Sequence, residues 1–525
     1  MLPAVVSPYG AWASLGLRVH DLTIRGLHSE TLVAADEAEA VLAILGDERT
    51  LRVSRLGRMY ALSSLGRPDE ALAIGEELVA DTGPATGPRT TDAKILADTA
   101  RMLIQVGRMD EGLHHVARAM AMLDIVPRKS LRYFSAMASL ADAARLAELF
   151  ELAETAMLQA IAAFENPDDL YRSAAEIEYA ELLLEWALRL EHVQRPEDSA
   201  ATIGKAVALL CHWTGHGPAG SPRAGEIPEA PLAEALLAVA WAKQGRWADA
   251  QELVDKNLLA MRQAGQRHET RLLHLAHGVV LRGTGDLRGA RREFLAANEL
   301  TLLPTQTLIF QYELAVTAAL ELPGEITSTM FEALHTHVRM LWKLRLDRRT
   351  MLQQAYRRIE LEDARHSADR AADADALTGL GNRRLFDRRM ADVAGTGTLL
   401  LIDLDNFKTI NDAYSHSVGD RVLAEVAAVL RAHCRRDDVA IRFGGDEFAM
   451  FLTAGLAEAR RIAERVRQVI LARDWSAIAP GLRVTVSMGL AGCRPGEAGH
   501  ELYDRADANL YAAKRAGRNR LATAA

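Results

Sequence analysis

Arg442-Phe-Gly-Gly-Asp-Glu-Phe448 sets two acidic side chains beside a Gly-Gly pair, between the apolar runs Val439-Ala-Ile441 and Phe448-Ala-Met-Phe-Leu452. The runs read as strands and the spacing predicts a hairpin, with Gly444 and Gly445 taking the positive φ angles of a tight turn. Asp446 and Glu447 then stand at the turn, near solvent. On these residues alone, a surface hairpin with a polar tip is an equal reading. Upstream, Leu399-Leu-Leu-Ile-Asp-Leu-Asp405 reads as a buried strand ending in two carboxylates, Asp403 and Asp405, where the chain leaves the sheet. Carboxylates placed there suit Mg²⁺, which takes one or two protein carboxylates together with phosphate oxygens and water. Isolated, they would be loop or helix-capping acids; a second acidic cluster favours the metal reading. Lys408 stands ready for a phosphate.

Further motifs follow in order: Asp375-Ala-Leu-Thr-Gly-Leu-Gly-Asn-Arg383, Asp403-Leu-Asp-Asn-Phe-Lys408, Asn411-Asp412, Gly419-Asp420, then beyond the hairpin Val484-Thr-Val-Ser-Met-Gly-Leu490 and Tyr511-Ala-Ala-Lys-Arg-Ala-Gly-Arg-Asn519. With these motifs, residues 375 to 525 resemble the catalytic domain of diguanylate cyclases, the GGDEF family, named for the motif present here as Gly444 to Phe448. The resemblance covers under a third of the chain. It implies an α/β domain with a palm-like, mostly antiparallel sheet flanked by helices, joining two GTP into cyclic di-GMP with release of two pyrophosphates.

The same resemblance implies Mg²⁺ or Mn²⁺ held by Asp403 and Asp446, with the backbone carbonyl of Leu404 assisting. Glu447 is implied either as a further metal ligand or as the group that takes the 3′-hydroxyl proton. The triphosphate is implied to lie on the backbone N–H groups of Asn406 and Phe407 and on Lys408, Lys514 and Arg518. Guanine would fall to Asn411 and Asp420. A carboxylate accepts from N1–H and N2–H₂ of guanine, whereas adenine offers no donor there, so Asp420 argues for GTP over ATP. Arg435 lies nine residues before Gly444, and Arg435 with Asp438 resembles the family's inhibitory site for its own product. Arginine can pair with guanine O6 and N7 and stack on a purine face; the plain reading is a charged turn. Ser415 stands where the family usually has glycine, which predicts a backbone there that is not left-handed.

The whole chain has 525 residues, room for two to four domains, with a formal net charge of -8. It shows no basic stripe for a phosphate backbone, so nucleic acid is not an expected partner. Cys211, Cys434 and Cys493 lie far apart and give no disulfide framework. Cys211-His212 with His216 lacks the second cluster a zinc site needs. No apolar run reaches bilayer length and the first residues are not a leader, so a cytoplasmic protein without membrane insertion is expected.

Residues 1–325 are rich in Ala and Leu and repeat a turn: Leu65-Gly-Arg-Pro-Asp-Glu-Ala-Leu72, Val106-Gly-Arg-Met-Asp-Glu-Gly-Leu113, Gln244-Gly-Arg-Trp-Ala-Asp-Ala250 and Thr284-Gly-Asp-Leu-Arg-Gly-Ala290. From Gly66 to Gly107 is 41 residues and from Gly245 to Gly285 is 40, and a small residue follows five positions later each time. Weaker copies are expected at Glu148 with Ala153 and at Gln194 to Ser199. The pattern predicts helix, turn, helix, with the glycine closing one helix and the small residue letting two helices approach. It resembles tetratricopeptide repeats, implying an all-α solenoid whose groove binds a protein or peptide; plain helix packing is the equal alternative. Trp213, Trp241 and Trp247 read as packing residues, and Thr214 to Pro222 as an exposed loop.

Residues 326–374 form a linker helix without Gly or Pro. Val338, Leu341, Leu352, Ala355 and Ile359 keep approximate coiled-coil spacing, but Arg345 and Arg348 fall on the same seam, which predicts a weak coiled coil. Since one catalytic domain holds one GTP, a cyclic dinucleotide needs two, and a homodimer is expected. The reading is therefore a repeat domain (1–325), a linker helix (326–374) and a cyclase domain (375–525), regulated by the repeats and by product. The alternatives are a catalytically silent cyclic di-GMP receptor and a repeat scaffold.

Overall fold

The computed structural model describes residues 9–82, 89–126, 128, 130–164, 170–217, 229–301, 304–392, 397–435 and 437–523. It divides into two compact units, Met1–Leu361 and Glu362–Ala525. The first unit is helical throughout its described residues. Its helices are α1 (Ala13–Ile24), α2 (His28–Leu45), α3 (Glu48–Ser64), α4 (Pro68–Ala80), α5 (Arg89–Gln105), α6 (Met109–Leu123), α7 (Leu131–Leu146), α8 (Phe150–Ile161), α9 (Leu170–His192), α10 (Pro196–Trp213), α11 (Ala230–Lys243), α12 (Trp247–Gln263), α13 (Arg267–Thr284), α14 (Leu287–Glu299), α15 (Pro304–Glu321) and the long α16 (Glu325–Ala372), of which residues up to Leu361 belong to this unit.

The repeated turn has one geometry. Gly66, Gly107, Gly245 and Gly285 have φ of 76°, 88°, 76° and 96°, and Glu148 and Gln194 adopt the same left-handed state at 58° and 60° without being glycine. That conformation costs a non-glycine residue roughly 1 kcal/mol. It is retained because the next N–H closes each helix with a six-to-one bond: Arg67 to Leu62 at 2.9 Å, Arg108 to Leu103 at 2.8 Å, Leu149 to Ala144 at 2.9 Å, Arg195 to Leu190 at 2.9 Å. The small residue five positions on is buried in every copy, as Ala71, Gly112, Ala153, Ser199, Ala250 and Ala290. Ser199 also donates from Oγ to the Ala187 carbonyl at 2.8 Å, tying α10 to α9.

Trp213 and Trp241 are buried, whereas Trp247 is 39% exposed and lies over Gly283. Of the Thr214 to Pro222 stretch, residues 218–222 lie outside the described residues. The seam of α16 is occupied within the first unit. Val338 and Leu352 are buried, and Ala355 and Ile359 pack against the same apolar core as α7 to α9. Arg345 pairs with Glu151 at 3.1 Å and Arg348 with Glu148 at 2.9 Å, so the two charges on the seam are matched by acids at the start of α8 and in the turn before it. Leu341 faces away and is 44% exposed.

The second unit has α17 (Arg383–Ala391), β1 (Thr398–Leu404), α18 (Phe407–Ala413), α19 (His416–His433), β2 (Val439–Arg442), β3 (Glu447–Leu452), α20 (Leu456–Ala472), β4 (Val486–Gly492), α21 (Gly499–Arg515) and β5 (Leu521–Thr523). The strands form one sheet in the order β2-β3-β1-β4-β5, antiparallel except for the parallel β4–β5 pair. Central β1 is buried on both faces. Leu400, Ile402 and Leu404 pack with Val422, Val426, Ile462 and Val466 of α19 and α20. Leu399 and Leu401 pack with Phe386, Leu502 and Leu510 of α17 and α21. A side chain at Gly489 would run into the backbone of Ala506 and Leu510, so this glycine allows α21 to lie directly on β4. The odd-numbered face of β1 that meets α21 is the face that continues to Asp403.

Candidate active site

Three segments converge at the end of β1. In the ladder Asp403 sits opposite Glu447 on one side and Ser487 on the other. The Leu404 N–H donates to the Asp446 carbonyl at 3.2 Å, which binds the β2–β3 connection to the strand end. Lys514, in the last turn of α21, pairs with Asp403 at 2.6 Å. Asp403, Asp446, Glu447 and Lys514 are thus brought together.

The hairpin corrects one expectation. Gly444 and Gly445 do not have positive φ. An added Cβ at 444 would lie 2.2 Å from Glu447 Oε2, so the Glu447 side chain, which folds back over the turn, would have to move. The Phe443 and Gly444 N–H groups both reach the Glu447 carbonyl, at 3.1 and 3.3 Å, so the turn closes on the first residue of β3.

The electrostatics suit a cation. Burial raises the Asp403 carboxyl above the ordinary carboxylate range; Lys514 opposes this and Asp446 and Asp405 add to it. Burial also raises Glu447, reinforced by Asp403 and Asp446. Three crowded carboxylates with one ammonium between them are a hard-oxygen donor set carrying excess negative charge. Among the described residues no three such side chains form a ready-made metal cage. Mg²⁺ needs none, since it retains waters and takes substrate phosphate oxygens, and the donor set fits it.

Next to these acids, Asn406 adopts a left-handed conformation (φ 56°, ψ 33°) and starts α18, turning the chain so that Phe407 and Lys408 begin a helix at the strand end. The free N–H groups of a helix start suit a phosphate. Lys408 and Arg518 are exposed. Asn411 Oδ1 lies over Gly419, the residue before Asp420, at the α18–α19 corner. Ser415 is extended (φ 164°), as expected, and caps α19 by accepting from the Val418 N–H at 3.3 Å.

The product-site candidates lie at the other end of the hairpin. Asp438 is 8% exposed and its carboxylate accepts from the Arg435 N–H at 3.0 Å, the Thr453 N–H at 2.8 Å and Thr453 Oγ1 at 3.0 Å. The Arg435 guanidinium is largely exposed and pairs with Glu458. The length of β3, about 20 Å at 3.3 Å per residue, separates this corner from Glu447.

Some supporting residues escaped the sequence reading. Arg442 donates to the Gly445 carbonyl from Nε at 3.2 Å and Nη2 at 2.8 Å, and to Asp375 from Nη1 at 3.2 Å. Asp375 in turn accepts from Thr378 N and Oγ1 at 2.9 and 2.6 Å. The Gly-Gly turn is therefore fastened to the loop at 375–381. The signal was present in the position of Arg442, one residue before the turn. Arg383 stands near enough to Glu447 to offset part of its neighbours' negative charge.

Comparison with known proteins gives the same segment. Residues 372–520 match the family model described as "Diguanylate cyclase, GGDEF domain". The chain is 41% identical over 172 residues to the diguanylate cyclase DgcP of Pseudomonas aeruginosa, covering 31% of this chain and 25% of DgcP. It is 40% identical over 166 residues to the response regulator PleD of Caulobacter vibrioides, covering 29% of this chain and 36% of PleD. The chain thus spans between a quarter and just over a third of these relatives. A crystal structure of the coiled coil and GGDEF domain of DgcB from Caulobacter crescentus with c-di-GMP is 34% identical, covering 34% of this chain and 98% of that one, with a TM-score of 0.30.

Proposed function

We propose that the GGDEF domain at residues 372–520 makes this chain a diguanylate cyclase, condensing two GTP into cyclic di-GMP and two pyrophosphates. The observation that carries the reading is the convergence of Asp403, Asp446, Glu447 and Lys514 at the end of β1, beside the helix start at Asn406 and Phe407. Asp403, Asp446 and Glu447, with the Leu404 carbonyl, would hold Mg²⁺ or Mn²⁺. Bound there, the metal would lower the pKa of the 3′-hydroxyl and neutralise the leaving pyrophosphate. Glu447, raised by burial and by the charges of Asp403 and Asp446, would serve either as a further metal ligand or as the group that takes the 3′-hydroxyl proton. The N–H groups of Asn406 and Phe407 and the cations Lys408, Lys514 and Arg518 bind and orient the triphosphate. Lys514 leaves Asp403 to do so. Asn411 and Asp420 select guanine by accepting from its N1–H and N2–H₂ edge.

Because one domain carries one such site, the working form is a homodimer with two sites facing each other. Product binding at Arg435 and Asp438 restrains it, with Arg435 supplying the contact to guanine. The helical unit, built from tetratricopeptide-like pairs, takes a protein or peptide partner and sets how often two catalytic domains meet. Its substrate is a nucleotide of the cytoplasm, where the chain would act.

The test is to incubate the full chain with Mg²⁺ and either GTP or ATP, after removal of any retained cyclic dinucleotide, and to separate the products. Cyclic di-GMP from GTP and nothing from ATP is the expected result. GTP recovered intact, or cleaved to GDP or GMP, overturns the reading.

A further inference from the structure

We infer that Asp405 is a positioning residue, clamping the turn that carries Arg518 to the strand end that carries Asp403. The inference rests on the cyclase reading for what the turn binds, and on geometry for the clamp itself. Asp405 follows β1, is 6% exposed and adds its negative charge to that around Asp403. It accepts three hydrogen bonds from elsewhere. Thr485 Oγ1 donates to Oδ2 at 2.7 Å, Ser487 Oγ to Oδ1 at 2.6 Å, and the Asn519 N–H to Oδ2 at 3.0 Å. A buried carboxylate with three donors is satisfied, and no lone pair needs a metal to explain its burial.

The third bond is the informative one. Gly517, Arg518 and Asn519 are consecutive residues in the left-handed region, with φ of 109°, 60° and 44°. Two of them carry side chains, so the turn costs roughly 2 kcal/mol of backbone strain and must be held. The six-to-one bond from the Arg518 N–H to the Ala513 carbonyl at 3.2 Å closes its start, and two side chains hold its end. Asp405 takes the Asn519 N–H, and Arg467 of α20 donates from Nη1 to the Asn519 carbonyl at 3.2 Å and Oδ1 at 2.8 Å. The chain then enters β5, where the Met488 N–H meets the Arg520 carbonyl at 2.9 Å. Asp405 is thus the direct tie between the end of β1, where Asp403 lies two residues earlier, and the turn presenting Arg518 beyond Lys514. A triphosphate held between metal-binding acids and these cations needs that separation fixed, because charge-assisted hydrogen bonds weaken steeply with distance and angle.

The experiment measures pyrophosphate affinity by calorimetry in Mg²⁺, and kcat and KM for GTP, for the full chain and for Asp405→Ala, Asp405→Asn and Arg467→Ala. Asp405→Ala is expected to bind pyrophosphate about tenfold more weakly and to raise KM by a similar factor, with the preference for GTP over ATP unchanged. Arg467→Ala, which removes the other side chain holding Asn519, moves both quantities in the same direction. Asp405→Asn recovers most of the affinity: its amide oxygen can serve Thr485 and Asn519, while its NH₂ donates to Ser487, whose hydroxyl also accepts. Wild-type pyrophosphate affinity in Asp405→Ala overturns the inference. If that variant fails to fold, wild-type affinity in Arg467→Ala overturns it equally. A wild type that binds pyrophosphate but makes no cyclic product removes the cyclase reading and leaves the clamp standing.

Discussion

At the site the carboxylates differ in what surrounds them, and that difference decides what each substitution does. Burial raises the cost of ionising Asp403 and Glu447, and Asp446 adds to both. Replacing either by alanine removes a like-charge neighbour, so Asp446→Ala and Glu447→Ala should abolish turnover, by 10² or more, while the melting temperature of the full chain stays level or rises. A scanning calorimetry trace in which either variant melts well below wild type would contradict that. Asp438 is the opposite case. Its three donors lie on Arg435 and Thr453, flanking the hairpin, so Asp438→Ala leaves two N–H groups without this acceptor and should cost about 1 kcal/mol, read as faster hydrogen exchange across 438–453. The motif made these residues visible in the sequence but not their partners. Nothing in the spacing of Asp405 says that it binds Asn519 from a segment 114 positions later, and the close approach at Gly444 comes from the Glu447 side chain rather than from φ.

Among the elements, the turns of the helical unit were legible even where glycine is absent. Glu148 and Gln194 are left-handed because period and small-residue offset demand a turn there, and the six-to-one bond offsets the strain. The partner of α16 was not legible. Heptad spacing states that a helix has an apolar seam and not which surface covers it, and here the seam meets its own unit, with Arg345 and Arg348 answered by Glu151 and Glu148. Arg348→Glu should therefore loosen α16, seen as faster amide exchange over 338–359, and Glu148→Arg in the same chain should restore it; an unchanged exchange rate in the single variant would contradict the packing argument. His192 adds a pH dependence. Burial pushes its imidazole down to about 3, and it stacks on Tyr312 with ring centroids 4.0 Å apart. Between that value and the ordinary 6.5 the unfolded chain holds a proton that the folded one does not, so stability falls as pH falls through this window. His192→Phe should flatten the slope in denaturant unfolding measured from pH 7 to 4.

For the molecule as a whole, the account joins a helical unit and a GGDEF domain in one chain, and its central claim is that two such chains must meet for one product to form. No described helix is long and apolar enough to cross a membrane. Because each product needs two sites, the rate should depend on how often two chains meet. The measurement that tests this most directly is the initial rate of cyclic di-GMP formation from GTP and Mg²⁺ against protein concentration, with retained product stripped and Glu447→Ala as the blank. The account predicts a rate that rises more steeply than linearly at low concentration, becomes proportional once dimers dominate, and vanishes in the variant. A rate strictly proportional to protein at the lowest concentrations while the chain is monomeric, or no cyclic product at any concentration, would contradict it.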